Sequence, residues 1–451
     1  MTNKTHSRKD VCYMKHELTL HHIGPIQKCS LSVDDFTVLT GPQSSGKSTV
    51  AKAVYFFRTV KQDILNIMMQ GGPQAVSNKD STPWRTVLTQ RMKDKFMQLF
   101  GTSWVMPLDM LMEYTYQENV SIRISLTQNY EDLHKNYIQI EFSQELEDYF
   151  KELNNQSFSN ISPGQKEHAE KTLNKLFNDS YETVFIPAGR NLITLLSTQL
   201  NYIFTSLEDS QLRNIDYITK RYTELILRLK SMFGYGMDGV IKEIEADPTR
   251  FEKYKKVRPA INLLVDAASQ VLQGSYRYTE NEERLYLSNG KYVKINLASS
   301  GQQEVVWVFN LLFYYLVEDK KVFLILEEPE SHLYPSSQQT IAHILAVMLS
   351  CGNTGIVTTH SPYILGTFNY QMMANQVPAA YHEQVKKQLN KRMWINEKKT
   401  NAYYIHGGTM ESAIREEDGL KLIKNELIDG ASSSINEMSD FLLGFLFSEE
   451  E

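Results

Sequence analysis

The segment Gly41-Pro42-Gln43-Ser44-Ser45-Gly46-Lys47-Ser48 satisfies the pattern G-x-x-x-x-G-K-[ST] at every fixed position. Glycines at these places let a short loop turn its backbone N–H groups inward, where they can cradle phosphate oxygens. A helix starting at the end of the loop, running on through Thr49, adds the positive end of its dipole. The lysine can bridge the β- and γ-phosphates of a nucleotide, and the Ser48 hydroxyl can ligate Mg²⁺. Gly41 to Thr49 are therefore the expected contacts for ATP, with Mg²⁺ as its companion.

Three further groups could complete such a site. Val322-Phe323-Leu324-Ile325-Leu326 is a continuous apolar run that ends in Glu327-Glu328. One carboxylate, Glu327, would join Ser48 in the Mg²⁺ shell, and the next, Glu328, could polarise an attacking water. Ser299-Ser300-Gly301-Gln302-Gln303 stands directly before a helical stretch, so Ser300, Gly301 and Gln303 could form a second anion site at a helix start. Thr359-His360-Ser361-Pro362 puts an imidazole at the end of an apolar strand. Taken singly, these three are equally a pair of solvated strand-end charges, a serine cap and a strand-end histidine. Beside the phosphate loop they become catalytic and sensing groups.

The elements needed to hold these residues can be read from the pattern. Glu17–His22 and Ser32–Thr40 are expected strands, with Gly24-Pro25 turning between them, and Ser48–Phe57 an expected helix. Segments 119–126 and 136–142 alternate apolar and polar residues, as half-buried strands do. Ile215, Ile218, Tyr222, Leu225 and Leu229 form one helical stripe, which suits either a core-facing or a partner-binding helix. After a helix over 301–317 come two fully buried strands, Val322–Leu326 and Gly355–Thr359, as a parallel sheet covered on both faces requires. The remaining C-terminal region reads as polar and made of short elements. These features together predict an α/β fold.

Composition bounds the partners. The chain has 451 residues, 42% hydrophobic and 22% charged, which is enough apolar material for a large core. A net charge of −6 does not indicate a surface built for nucleic acid, although a local groove remains open. The clusters Lys166, Lys171, Lys175 and Arg250, Lys253, Lys255, Lys256, Arg258 are candidates for one, or are solvated helix faces. Three scattered cysteines, Cys12, Cys29 and Cys351, give neither a disulfide framework nor a metal pair. The N-terminus has no apolar leader, and Val305–Val317, interrupted by Asn310, is too short to span a bilayer. No membrane and a cytoplasmic location are expected.

The order of the four motifs resembles the ABC/SMC ATPase superfamily. That resemblance implies an ABC-type P-loop head in which Ser300 and Gly301 act in trans on the nucleotide of a second head. Glu328 would then be the catalytic base, His360 the switch histidine, and Glu330-Ser331-His332-Leu333 the D-loop. It divides the chain into an N-terminal lobe (1–58), a mixed insertion (59–118), head strands (119–142), a mainly helical insertion (143–274) and a C-terminal lobe (275–451). The strings LEEPESHLYP, TTHSPYIL and FIPAGR are similar to those of OLD-like and AAA-type ATPases of bacterial defence, including the ATPase subunits of PARIS and Septu systems. This implies a homo-oligomeric sensor or scaffold that controls a separate effector protein. A RecF/SMC-like ATPase acting on DNA and an ATP-locked structural assembly are the alternatives. The chain departs from the family pattern at Glu327, where Asp is common. No glutamine stands out as the Q-loop residue, for which Gln117 and Gln128 are candidates.

Overall fold

The computed structural model describes residues 15–77, 83–101, 106–127, 138–159, 161–194, 216–424 and 438. Ile215 and Gln128 lie outside these, as do the first two residues of the strand expected over 136–142. The N-terminal part runs β1 (His16–Ile23), β2 (Ile26–Val33), β3 (Phe36–Thr40), α1 (Lys47–Arg58), α2 (Val60–Met69), α3 (Pro73–Ser77) and α4 (Trp84–Phe100). A meander follows of β4 (Leu111–Gln117), β5 (Val120–Leu126) and β6 (Ile138–Phe142). Then come α5 (Gln144–Asn154), α6 (Pro163–Leu176), β7 (Glu182–Ile186), α7 (Tyr217–Leu229), α8 (Gly236–Ala246) and α9 (Pro248–Leu272). The C-terminal part has β8 (Ser275–Thr279), β9 (Glu282–Tyr286), β10 (Tyr292–Lys294), α10 (Ser300–Val317), β11 (Val322–Glu327), α11 (Pro335–Ser350), β12 (Thr354–Thr359), α12 (Pro362–Gln376), β13 (Thr400–His406) and β14 (Thr409–Ser412).

Eleven of the described strands form one sheet in the order β6-β5-β4-β1-β2-β14-β13-β3-β12-β11-β7. β13, β3, β12, β11 and β7 are mutually parallel. Their C-terminal ends therefore meet at one edge. Both faces of this parallel part are covered, which is why β11 and β12 are buried at every position. Alternation divides β11 between two cores. Val322, Leu324 and Leu326 join the one built on α9 to α12, while Phe323 and Ile325 join the one built on α1, α2, α4 and the meander. This is the α/β, ABC-type P-loop head expected from the motifs. No helix among the described residues is long and apolar enough to cross a membrane.

The expected strand Ser32–Thr40 is in fact two. β2 ends at Val33 and β3 begins at Phe36, because Asp34 turns to Lys15 and Asn401 while Asp35 pairs with Lys399 at 2.7 Å. Two adjacent carboxylates with cations waiting outside the ladder end a strand. β13, which fills the sheet between β3 and β14, was not foreseen. The range 143–274 holds five described helices and also β7, a strand of the central sheet.

The C-terminal end of α1 is anchored by a buried polar cluster. Arg58 pairs with Asp179 at 2.8 Å and lies over the Phe323 ring at 3.7 Å. Its other terminal nitrogen donates to His16 Nδ1 (3.1 Å), which also accepts from the Tyr114 hydroxyl, while His16 Nε2 faces the Asn178 carbonyl. That pattern suits a neutral imidazole with its proton on Nε2. Burial, reinforced by the Arg58 charge, depresses the His16 pKa to about 4.

Candidate active site at the C-terminal edge of the sheet

The phosphate-loop motif leaves β3 at Thr40 and enters α1 at Lys47. Gly41 adopts φ 140°, and a Cβ there would lie 2.1 Å from the Ile405 carbonyl oxygen of β13. Only glycine lets the loop rest on that neighbour. Lys47 is buried and folds back on the loop, donating to the carbonyls of Gly41 (3.0 Å) and Pro42 (2.7 Å). Burial lowers its pKa to about 8 against the pull of Glu328, Glu330 and Glu327, so the ammonium is poised to gain from an incoming anion.

β11 delivers the two carboxylates. Glu327, its last residue, is buried, and its Oε2 accepts from the Ala188 backbone at 3.3 Å. Its Oε1 is buried without a well-formed hydrogen bond, although the Ser48 hydroxyl lies close enough to oppose the burial that raises this carboxyl's pKa. An open carboxylate oxygen beside a serine hydroxyl is a donor pair that fits Mg²⁺, which keeps several waters and takes its other ligands from phosphate. Among the described residues no cluster of three or more His, Cys, Asp or Glu offers another cation cage.

Glu328 steps out of the strand with φ 42°, a left-handed conformation that costs a non-glycine residue about 1–2 kcal/mol. The turn is held by its N–H, which donates to the Thr358 carbonyl at 2.9 Å. It aims the side chain at β12, where Glu328 Oε1 approaches His360 Nε2 at 3.5 Å, and Ser331 Oγ donates to Oε2 at 3.3 Å. The contact with His360 holds the Glu328 carboxyl below the usual range, so it stays ionised and able to accept a proton from water. Glu330 accepts from Thr359 Oγ1 (2.8 Å) and from the His360 N–H (2.6 Å), and burial raises its own pKa.

Sequence reasoning assigned no role to Arg190 or Glu304. Arg190 is wholly buried where β7 ends. It donates to the carbonyls of Pro187 (2.7 Å), Glu327 (2.6 Å) and Glu328 (3.0 Å), and its Nε meets Glu304 Oε2 at 3.1 Å. It thus ties β7, the exit of β11 and α10 together. The only sequence signal was its place in FIPAGR, just past an apolar strand.

At the start of α10 the cap is Ser299, not Ser300. Ser299 Oγ accepts from Gln302 N, and Gln302 Oε1 accepts from Ser299 N at 3.0 Å, a complete capping box. Ser300 is left exposed in the first turn. A Cβ on Gly301 would lie 2.7 Å from the His332 carbonyl oxygen, so the helix start packs directly on the loop after β11. Gln303, expected among the nucleotide contacts, is buried, and its amide donates to the carbonyls of Ile295 and Ala298, both at 3.1 Å. Its side chain is spent on the turn before the helix. Gln117 ends β4, which runs against β1 and hence against β3, so it lies at the opposite edge of the sheet and donates to the Leu176 carbonyl. It cannot serve the phosphate loop.

The structure thus brings Lys47, Ser48, Glu327, Glu328 and His360 to the exits of three neighbouring parallel strands. Ser300 and Gly301 stand at the start of α10, where Gly301 packs on the loop after β11 and Ser300 is exposed. A family profile described as an AAA ATPase domain matches residues 14–365. No protein of curated function matches the sequence. Solved structures similar to this chain include an SMC head domain from Thermotoga maritima, with 12% identity and a TM-score of 0.33 over 91% of this chain and 98% of that one. Another is an SMC head bound to the C-terminal winged-helix domain of ScpA, with 11% identity and a TM-score of 0.39 over 92% and 98%. A third is an SMC head with an extended coiled coil, bound to the C-terminal domain of ScpA derived from Pyrococcus furiosus, with 12% identity and a TM-score of 0.35 over 94% and 98%.

Proposed function

This chain belongs to the AAA ATPase domain family, and on that premise we propose that it hydrolyses Mg-ATP in a site shared between two copies. The observation that carries the reading is the convergence of Lys47, Glu327, Glu328 and His360 at one sheet edge. The loop from Gly41 to Thr49 wraps the phosphates, and Lys47 exchanges its loop carbonyls for phosphate oxygens. Ser48 and Glu327 hold Mg²⁺, which when bound would offset charge on the phosphates. Glu328 accepts the proton of the attacking water, and His360 steadies that carboxylate and meets the γ-phosphate.

Sharing between copies is supported by what the site edge leaves exposed. Ser300, outside the capping box and exposed in the first turn of α10, is free to face a second head. Leu192, Leu297, Tyr334 and Tyr363, which follow or flank the site residues in sequence, are all exposed. Large apolar side chains around a polar site suit a surface that is covered when a second head docks. Phosphate release with ATP tests the reading. Loss of turnover in Lys47→Ala and in Glu328→Gln is expected, and turnover surviving both would sink it.

The finer role we infer is that of an ATP-dependent sensor or scaffold in a bacterial antiphage system, acting on a separate nuclease or toxin. Support comes from the strings Leu326–Pro335 and Thr358–Leu365, whose wording is similar to defence ATPases. A tagged chain should co-purify with the effector, whereas cleavage of DNA or RNA by the purified chain alone would overturn this role. The DNA-repair alternative draws little from the basic clusters. Arg250 pairs with Glu318, Lys255 with Glu252, Arg258 with Glu245 and Lys171 with Glu167. An ATP-locked assembly would be distinguished by Glu328→Gln retaining full biological function.

A further inference from the structure

We propose that Glu330 is a positioning residue for His360, holding the end of β12 so that the imidazole meets Glu328 and the nucleotide. This rests on the role of His360 given above. One oxygen of Glu330, Oε1, accepts both the Thr359 hydroxyl (2.8 Å) and the His360 N–H (2.6 Å). The His360 N–H lies just past the last residue of β12, so the carboxylate takes the place of a ladder partner. A single carboxyl oxygen, with two lone pairs, can accept from both donors at once.

The two strand exits are laced together over three consecutive residues, the last two of β12 and the one that follows. Glu328 N donates to Thr358 O at 2.9 Å, and the Glu330 carboxylate then takes the hydroxyl of Thr359 and the amide of His360. Ser331, on the same loop, donates to Glu328 Oε2 at 3.3 Å. One short loop therefore fixes the carboxylate at 328 from one side and the imidazole at 360 from the other.

A simple turn would not need a carboxylate here. Oε2 of Glu330 is buried with no hydrogen-bond partner, a costly arrangement that a small polar residue would avoid. The cost is offset by what Oε1 holds. His332, two residues on, packs its carbonyl against Gly301 at the start of α10. The surface offered to a second head and the grip on His360 thus belong to one rigid loop, and docking of that head acts on the imidazole through Glu330.

The test compares Glu330→Ala, Glu330→Asp, Glu330→Gln, His360→Ala and the Glu330→Ala/His360→Ala double variant in steady-state ATP hydrolysis. Withdrawal of the acceptor in E330A or E330D is expected to lower kcat about 10- to 100-fold with little change in KM. E330Q keeps an acceptor oxygen and should retain most of the turnover. The double variant should be no slower than H360A, because both changes remove the same contribution. E330D keeps a carboxyl group one methylene further back, and with a melting temperature like that of the wild type it decides the matter if E330A does not fold. Wild-type kcat in E330D, or a double variant that multiplies the two single losses, would overturn the proposal. Wild-type kcat in H360A would instead overturn the reading of His360 on which it stands.

Discussion

Arg190 and Glu304, neither exposed to solvent, meet at 3.1 Å, and the same guanidinium holds the carbonyls of Glu327 and Glu328. The helix that offers Ser300 outward and the strand end that carries the carboxylates are therefore joined by one side chain. Removing Arg190 strands a buried carboxylate, so Arg190→Ala is expected to cost about 3–5 kcal/mol in stability. Arg190→Met with Glu304→Met together should cost less than Arg190→Ala alone. Denaturant midpoints for the three proteins check this, and equal stability of Arg190→Ala and wild type would refute it.

Lys47 gives ATP binding a proton signature. Its folded pKa of about 8 lies below the ordinary 10.5, chiefly through burial, so near pH 9 the free protein holds it mostly neutral. Phosphate oxygens favour the charged form, and binding at that pH should draw about one proton from solvent. Calorimetry near pH 9 in buffers of different ionisation enthalpy should give different apparent enthalpies. Identical enthalpies would contradict the assignment.

Glu328→Gln should lower turnover roughly 10²- to 10⁴-fold while leaving ATP binding intact. With ATP it should accumulate as a pair of chains, readable by light scattering. Because His360 holds the Glu328 carboxyl below its ordinary value, the base form persists on acidification. The acid limb of kcat should therefore shift to higher pH in His360→Ala. An unmoved limb would separate the two residues.

Acid stability should reflect His16. Its folded pKa, about 4, lies below its unfolded value near 6.5, so the unfolded chain binds more protons between those limits. The contribution is full above pH 6.5 and is lost as pH falls towards 4. Unfolding free energy measured across that window should slope upward with pH in the wild type and more shallowly in His16→Phe. The same slope in both proteins would count against it.

How far the sequence disclosed this arrangement differed from residue to residue. The phosphate loop is a local string whose geometry follows from its own glycines, and β11 betrays itself as an apolar run buried on both faces. β13 does not. Its buried positions are Thr400, Ala402 and Ile405, too mixed to show a period, and its place depends on pairing with β3. Ser299 and Ser300 each stand three residues before a glutamine, so either could have closed a capping box. Tertiary packing decided it, drawing Gln303 inward to the Ile295 turn. Arg190 was illegible for a different reason, since most of its partners are the main-chain carbonyls of Glu304, Glu327 and Glu328, contributed by distant segments.

The placement of β13 also governs when the protein can acquire its chemistry during synthesis. β3 is made more than three hundred residues before its two sheet neighbours, β12 and β13. Pairing so distant in sequence folds slowly, and until it forms the edges of β3 stay open to wrong partners. A nascent chain halted before Thr400 carries every residue of the phosphate loop but lacks the Ile405 carbonyl on which Gly41 rests. Nucleotide capture is therefore expected to wait until β13 has been made and has paired with β3.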